Sequence, residues 1–230
     1  MYFGSDNSSP AHPSILNALI AANDGYTSGY GNEEAMNNVT KKLRDLFEAP
    51  NASVYLVTTG TAANSLALAT LTKPWETIFC HKHSHIEEDE CGAPEFFSNG
   101  SKILPGTGEH GKLTPESIEQ LVLKRSDVHY PKPKAISLTQ STEVGTVYSR
   151  NELLDIRNMA DKYGLKLHMD GARFANALAR LKLRPKEITW QCGIDILCLG
   201  GTKNGLAVGE AILVFNKSLA EDFEYRCKQA

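Results

Sequence analysis

From residue 52 onward, short β-branched and apolar runs alternate with segments of helical period, and this alternation restricts the chain more than any other feature. The runs are Val54–Thr58, Thr77–Cys80, Lys102–Leu104, Lys134–Thr139, Leu165–Asp170, Asp195–Leu199 and Ala211–Phe215, bounded by Gly, Pro, Asn or Asp. Continuous apolar runs suit strands that are covered on both faces. With helices filling the gaps, they predict an α/β fold: a mostly parallel seven-stranded sheet with helices on both faces. Ligands of such sheets sit beyond the carboxyl ends of the strands, so the residues directly after each run are where chemistry is expected.

Before the first strand, Ile15, Leu16, Leu19 and Ile20 recur at helical spacing, as do Met36, Val39, Leu43, Leu46 and Phe47. These patterns give an N-terminal helical segment over residues 1–50. A ligand-binding α/β domain then runs over 51–217, and 218–230 begins a further helix, Ser218 to Gln229. Two helix starts carry explicit caps, Thr114-Pro115 and the capping box Ser149-x-x-Glu152. The segment Ser126 to Lys134 holds Pro131 and Pro133 but is too short to separate domains.

Net charge is −3 with both signs interspersed, so no basic stripe exists to neutralise nucleic-acid phosphates, and no nucleic-acid partner is expected. The N-terminus lacks a basic and apolar leader, and the most apolar helix, Ser65 to Leu71, is too short for a bilayer. A cytoplasmic protein with no membrane partner is the expectation. The five cysteines are odd in number and scattered, which implies no disulfide framework.

Five segments carry possible chemistry. Thr58-Thr59-Gly60-Thr61-Ala62-Ala63-Asn64 follows a strand and opens a helix, an anion site or a plain turn with a Thr cap. His168-Met169-Asp170-Gly171-Ala172-Arg173 puts a carboxylate at the carboxyl edge of a strand. There Asp170 could hold a ring nitrogen protonated or merely cap a helix, and Arg173 could clamp a carboxylate or stay solvated. Leu199-Gly200-Gly201-Thr202-Lys203-Asn204-Gly205 sets a lysine among glycines, where desolvation can activate it as a nucleophile or it can remain a plain surface-loop lysine; the spacing of a P-loop is absent. The alternating histidines of Cys80-His81-Lys82-His83-Ser84-His85 match no standard zinc spacing, and a single ring stacking on an aromatic cofactor suits His85 better than a metal. Gly106-Thr107-Gly108-Glu109-His110-Gly111 has the letters of a dinucleotide fingerprint, but the next helix starts only at Thr114-Pro115, so an ordinary loop is expected.

Taken in order, these segments, with Ser5-Asp6-Asn7, Tyr30-Gly31, Ser84-His85-Ile86 and Glu90-Cys91-Gly92, resemble the threonine aldolase and β-eliminating lyase family of pyridoxal 5′-phosphate enzymes. The resemblance covers nearly the whole chain. It implies the large domain of a transferase-like fold, with Lys203 carrying pyridoxal 5′-phosphate as a Schiff base and Gly60, Thr61, Ala62 and Thr202 around its phosphate. His85 would stack on the ring and is the candidate to take the β-hydroxyl proton, with a bound water as the alternative, and Asp170 would pair with the ring nitrogen. Ser5 and Arg173 would hold the substrate carboxylate, and no metal is implied. The implied reaction cleaves threonine, allo-threonine or phenylserine-like amino acids to glycine and an aldehyde, in a homodimer or homotetramer. A related lyase or aminotransferase, or a non-catalytic remnant, are the alternatives. The chain departs from the family with Gln140-Ser141-Thr142-Glu143 in place of Glu-Asn-Thr-His, and with Gly-Gly-Thr-Lys-Asn-Gly around the lysine. It also ends where relatives continue into a small C-terminal domain, so that domain is expected to be absent and aldolase activity low.

Overall fold

The computed structural model describes residues 4–230; residues 1–3 of the expected N-terminal segment lie outside the described residues. All seven expected strands form, with ends shifted by one to two residues: β1 Ser53–Val57, β2 Glu76–His81, β3 Lys102–Gly106, β4 Lys132–Thr139, β5 Lys166–Gly171, β6 Ile196–Leu199 and β7 Glu210–Val214. They make one sheet in the order β1-β7-β6-β5-β4-β2-β3. Strands β3, β2, β4, β5 and β6 are mutually parallel, and β7 is antiparallel to both β6 and β1. The carboxyl ends of β1, β2, β4, β5 and β6 therefore share one edge, where β7 begins.

The helices are α1 Pro13–Ala22, α2 Glu34–Leu46, α3 Gly60–Leu71, α4 His85–Glu88, α5 Ala93–Phe97, α6 Pro115–Val122, α7 Arg150–Tyr163, α8 Phe174–Leu181 and α9 Phe223–Gln229. The helix expected from Ser218 is divided: a 3-10 turn covers Lys217–Leu219, and α9 starts only at Phe223, where that aromatic side chain becomes buried. Both cap signals act as read. Thr114 caps α6 with Pro115 in its first turn. Ser149 Oγ accepts the Glu152 N–H while Glu152 accepts the Ser149 N–H at 2.7 Å, and Gly164 closes α7 in the left-handed region at φ 64°.

Residue alternation divides the core. Ile78, Cys80, Ile196, Cys198, Ile212 and Val214 face a cluster built on α3 and Phe223. Phe79, Ile136, Leu138, Leu167, Met169, Leu197 and Leu213 face the other, built on Phe47 beyond α2 and on Ile118, Leu153 and Ile156 of α6 and α7. Successive side chains of a strand point to opposite faces, so only residues apolar at every position serve both layers. Helix α3 buries eight of its twelve residues, including Ala63, Asn64, Leu66 and Leu68. Truncating Leu68, which is fully buried, to Ala would cost about 2–5 kcal/mol.

Candidate active site at the carboxyl edge of the sheet

Strand direction brings Thr58–Thr61, Asn64, His85, Asp170, Thr202, Lys203 and Glu210 around one cavity of about 340 Å³. Thr59 ends the turn after β1 and caps α3, its Oγ1 accepting the Ala62 N–H at 3.1 Å. The amides of Gly60 and Thr61, in the first turn, have no intrahelical acceptor, and both residues line the cavity. Ala62 does not line it among the described residues, and its amide is already committed to Thr59.

The lysine loop leaves β6 at Gly200 and returns at the start of β7. Its neck is fixed by the Glu210 carboxylate, which accepts the N–H groups of Gly201 at 2.7 Å and Thr202 at 3.4 Å. Gly200 donates to the Gly171 carbonyl at 2.9 Å. A Cβ at Gly200 would stand 2.3 Å from the Ala172 carbonyl oxygen, so only glycine lets this loop press against the end of β5. Asn204 Nδ2 adds bonds to the carbonyls of Ala172 and Gly200, both at 3.1 Å.

Asp170 is buried, and its two carboxylate oxygens have separate donors. Oδ1 accepts the Ala172 N–H and Oδ2 accepts Asn64 Nδ2, both at 2.9 Å. The same Asn64 nitrogen reaches Glu90 Oε1 at 2.9 Å, and His85 Nδ1 lies 2.9 Å from that oxygen. The His85 backbone N–H is held by Glu143 Oε1 at 2.8 Å, which also accepts Thr139 Oγ1 at 2.9 Å. The hydrogen bond to Glu90 raises the His85 pKa above the ordinary imidazole value against desolvation, which pulls it down. Burial raises the carboxyl pKa of both Glu90 and Glu143.

The two expected carboxylate-binding residues sit beside the cavity without lining it. Arg173 donates through Nε and Nη2 to the two carboxylate oxygens of Asp6, which it pulls below the usual carboxylate range. Ser5 is exposed, and its Oγ accepts the Asn7 N–H at 3.2 Å. Of the neighbouring histidines, His81 places Nε2 on the Gly108 carbonyl while its Nδ1 accepts the His83 backbone N–H, and the His83 ring pairs with Glu88. Among the described residues no group of three or more His, Cys, Asp or Glu is placed to hold a metal. Gly111 ends a 3-10 turn four residues before α6, so the glycine-rich loop opens no helix.

Sequence reasoning quoted Asn64, Glu90 and Glu143 within its motifs without giving them a role, and it missed Glu210 altogether. Asn64 had a visible signal, being the one amide in an otherwise small and aliphatic helix. Glu90 and Glu143 stood in segments compared with the family, but nothing local gave the glutamates a role, since acidic residues at loop positions are ordinarily solvated.

The β-eliminating lyase family model matches residues 3–230. The low specificity L-threonine aldolases of Pseudomonas sp. (strain NCIMB 10558) and Pseudomonas aeruginosa are each 54% identical over 228 residues, covering 99% of this chain and 66% of their own length. A solved structure of Leishmania major threonine aldolase superposes with a TM-score of 0.93 at 32% identity, over 98% of this chain and 65% of that one. The chain thus spans just under two thirds of the length of these relatives. With a family model matched over nearly every residue, the chain belongs to the β-eliminating lyase family.

Proposed function

We propose that this chain is the cofactor-binding part of a pyridoxal 5′-phosphate-dependent aldolase that cleaves threonine-like β-hydroxy-α-amino acids to glycine and an aldehyde. One observation carries the reading: a single cavity is lined by free helix-start amides, a threonine hydroxyl, a lysine, a buried carboxylate and an imidazole. That donor set fits each part of the cofactor. The amides of Gly60 and Thr61 with the Thr202 hydroxyl would take the phosphate at the positive end of α3. Lys203 would hold the aldehyde carbon covalently, and Asp170 would keep the ring nitrogen protonated. When bound, the group supplies the electron sink that a Cα–Cβ cleavage requires.

The remaining work falls to this chain's own side chains. His85 would cover the ring and accept the β-hydroxyl proton. Arg173 would orient the substrate carboxylate after exchanging its present partner, Asp6, with Ser5 completing the clamp. The likeness to relatives named as low specificity L-threonine aldolases supports threonine-type substrates and a small amino-acid ligand.

A homodimer or homotetramer also belongs to this reading. Helix α1 buries no residue among those described, while Leu16, Leu19 and Ile20 are exposed. No helix among the described residues is long and apolar enough to cross a membrane, and all five cysteines are free, which supports a cytoplasmic setting. Borohydride reduction of the chain incubated with pyridoxal 5′-phosphate, followed by peptide mapping, tests the anchor. Label on Lys203 is expected, and label on another lysine overturns the site. Glycine release from threonine, allo-threonine and phenylserine tests the reaction, and a keto acid in place of an aldehyde would identify a transaminase.

A further inference from the structure

Glu90 has a buried side chain, lies five residues beyond His85 and faces the floor of the cavity through Asn64. The Asn64 amide nitrogen stands between two carboxylates, giving one hydrogen to Glu90 and one to Asp170. Turning that amide over would set its oxygen against two acceptors, so its orientation is fixed. Glu90 Oε1 therefore acts as an acceptor, and the only group that can complete its contact with His85 is an N–H on Nδ1. His85 Nε2 has no partner among the described residues. Among the described residues Glu90 Oε2 and Asn64 Oδ1 are buried without a hydrogen-bond partner, and His85 and Asn64 are the groups there that donate to the glutamate.

We infer that Glu90 is a positioning residue for His85: backed by Asn64, its carboxylate holds the ring proton on Nδ1 and leaves Nε2 as the lone pair that faces the chemistry. The inference rests on the proposed role of His85, but its geometry needs no cofactor. Because a neutral imidazole accepts at one nitrogen only, the wrong tautomer would present a donor where the β-hydroxyl needs an acceptor. Asn64 also keeps Glu90 apart from Asp170, so the two carboxylates do not compete for one proton.

The groups facing His85 are Glu90, Glu143 on its backbone, Asp170 and Lys203. The first three favour the imidazolium or the fixed ring, and the lysine opposes it. Histidine-selective nitrogen-15 spectra of the chain, recorded against pH without cofactor, read this directly, with His85→Asn identifying the resonance. The expected neutral form carries hydrogen on Nδ1. In Glu90→Gln that tautomer persists, since the amide oxygen still accepts, but the midpoint falls by about one pH unit or more. In Glu90→Ala the tautomer preference is lost.

A neutral His85 with hydrogen on Nε2, or an unmoved midpoint in a folded Glu90→Gln protein, overturns the assignment. Circular dichroism separates misfolding from a true null, and the Gln variant, nearly the same size, guards against collapse. Should the chain take up no pyridoxal 5′-phosphate, the cofactor reading fails while the tautomer result stands by itself.

Discussion

Arg173 is not free to meet a substrate: its Nε and Nη2 donate to both carboxylate oxygens of Asp6, making a two-pronged pair across 167 residues of sequence. The residue expected to clamp a carboxylate is clamping one already. Any substrate carboxylate at Arg173 must displace Asp6, and the measured affinity falls with the fraction of molecules in which the pair is open. Asp6→Asn weakens this competitor, so glycine binding in the presence of pyridoxal 5′-phosphate should tighten, by roughly fivefold if the pair is mostly closed. Calorimetric titration measures it, and an unchanged or weaker affinity would show that Asp6 supports the site instead of guarding it.

Gly200 sets where the lysine loop stands. Its missing side chain leaves room for the Ala172 carbonyl, which a Cβ would meet at 2.3 Å. Gly200→Ala should push the loop off the end of β5 and separate Lys203 from Asp170. The expected result is loss of cofactor uptake, seen as a missing visible absorbance band, with a far-ultraviolet circular dichroism spectrum like the parent's. Full uptake with ordinary affinity would mean that the loop tolerates the shift.

Asp170→Asn keeps the shape but changes a double acceptor into an acceptor and a donor. Its two oxygens now receive hydrogens from Ala172 and Asn64, and an amide would set a donor against one of them. On the proposed reading, a protonated ring nitrogen of the cofactor would also lose its counter-charge. Turnover in an active protein should fall on the order of 10²-fold, while borohydride still labels Lys203. Near-parental turnover would remove Asp170 from the mechanism.

Burial gives the fold a pH limit through His168, which contacts Ser137 Oγ at 2.9 Å and Cys198 Sγ at 3.3 Å. Desolvation lowers its pKa from 6.5 to about 4, while Asp170 nearby pulls the other way. Below pH 6.5 the unfolded chain takes up a proton that the folded chain refuses until about pH 4. Stability therefore falls as pH drops through this window, by about 3 kcal/mol at most from this one group. Urea unfolding midpoints at both ends of the window should differ more in the parent than in His168→Gln. Equal differences would assign the acid loss to other residues.

Most of the architecture was legible because apolar runs report burial directly. The seven runs became seven strands within one or two residues at each end, and Ser149 and Thr114 cap the helices their local chemistry specified. The sequence also located Gly60, Thr61, His85, Asp170, Thr202 and Lys203, since residues after parallel strands are carried to a common edge. What it hid were partnerships over long separations. Asn64 meets Asp170 across 106 residues and Glu143 meets His85 across 58, and no local pattern records either. Arg173 was legible as a guanidinium able to meet a carboxylate, but Asp6 as its present partner was not, because an aspartate in a short N-terminal turn carries no periodic signal. The break before α9 was hidden for a related reason: Ser218 to Gln229 has helical composition, while Phe223 is decided by the pocket that receives it.

Helix α3 gives the cavity its first turn and the core its eight buried residues. A protein can bind a ligand on a segment that frays independently, and occupancy then quiets that segment alone. Here the first turn cannot loosen without drawing Ala63, Asn64 and Leu66 out of their packing, so local opening at the cavity and opening of the core are one event. A ligand held by Gly60 and Thr61 is thereby coupled to the whole cooperative unit. Its binding free energy would appear as slower amide hydrogen exchange along the whole length of strands β6 and β7, which α3 also touches. Occupancy of the site and integrity of the sheet would then be two readings of a single equilibrium.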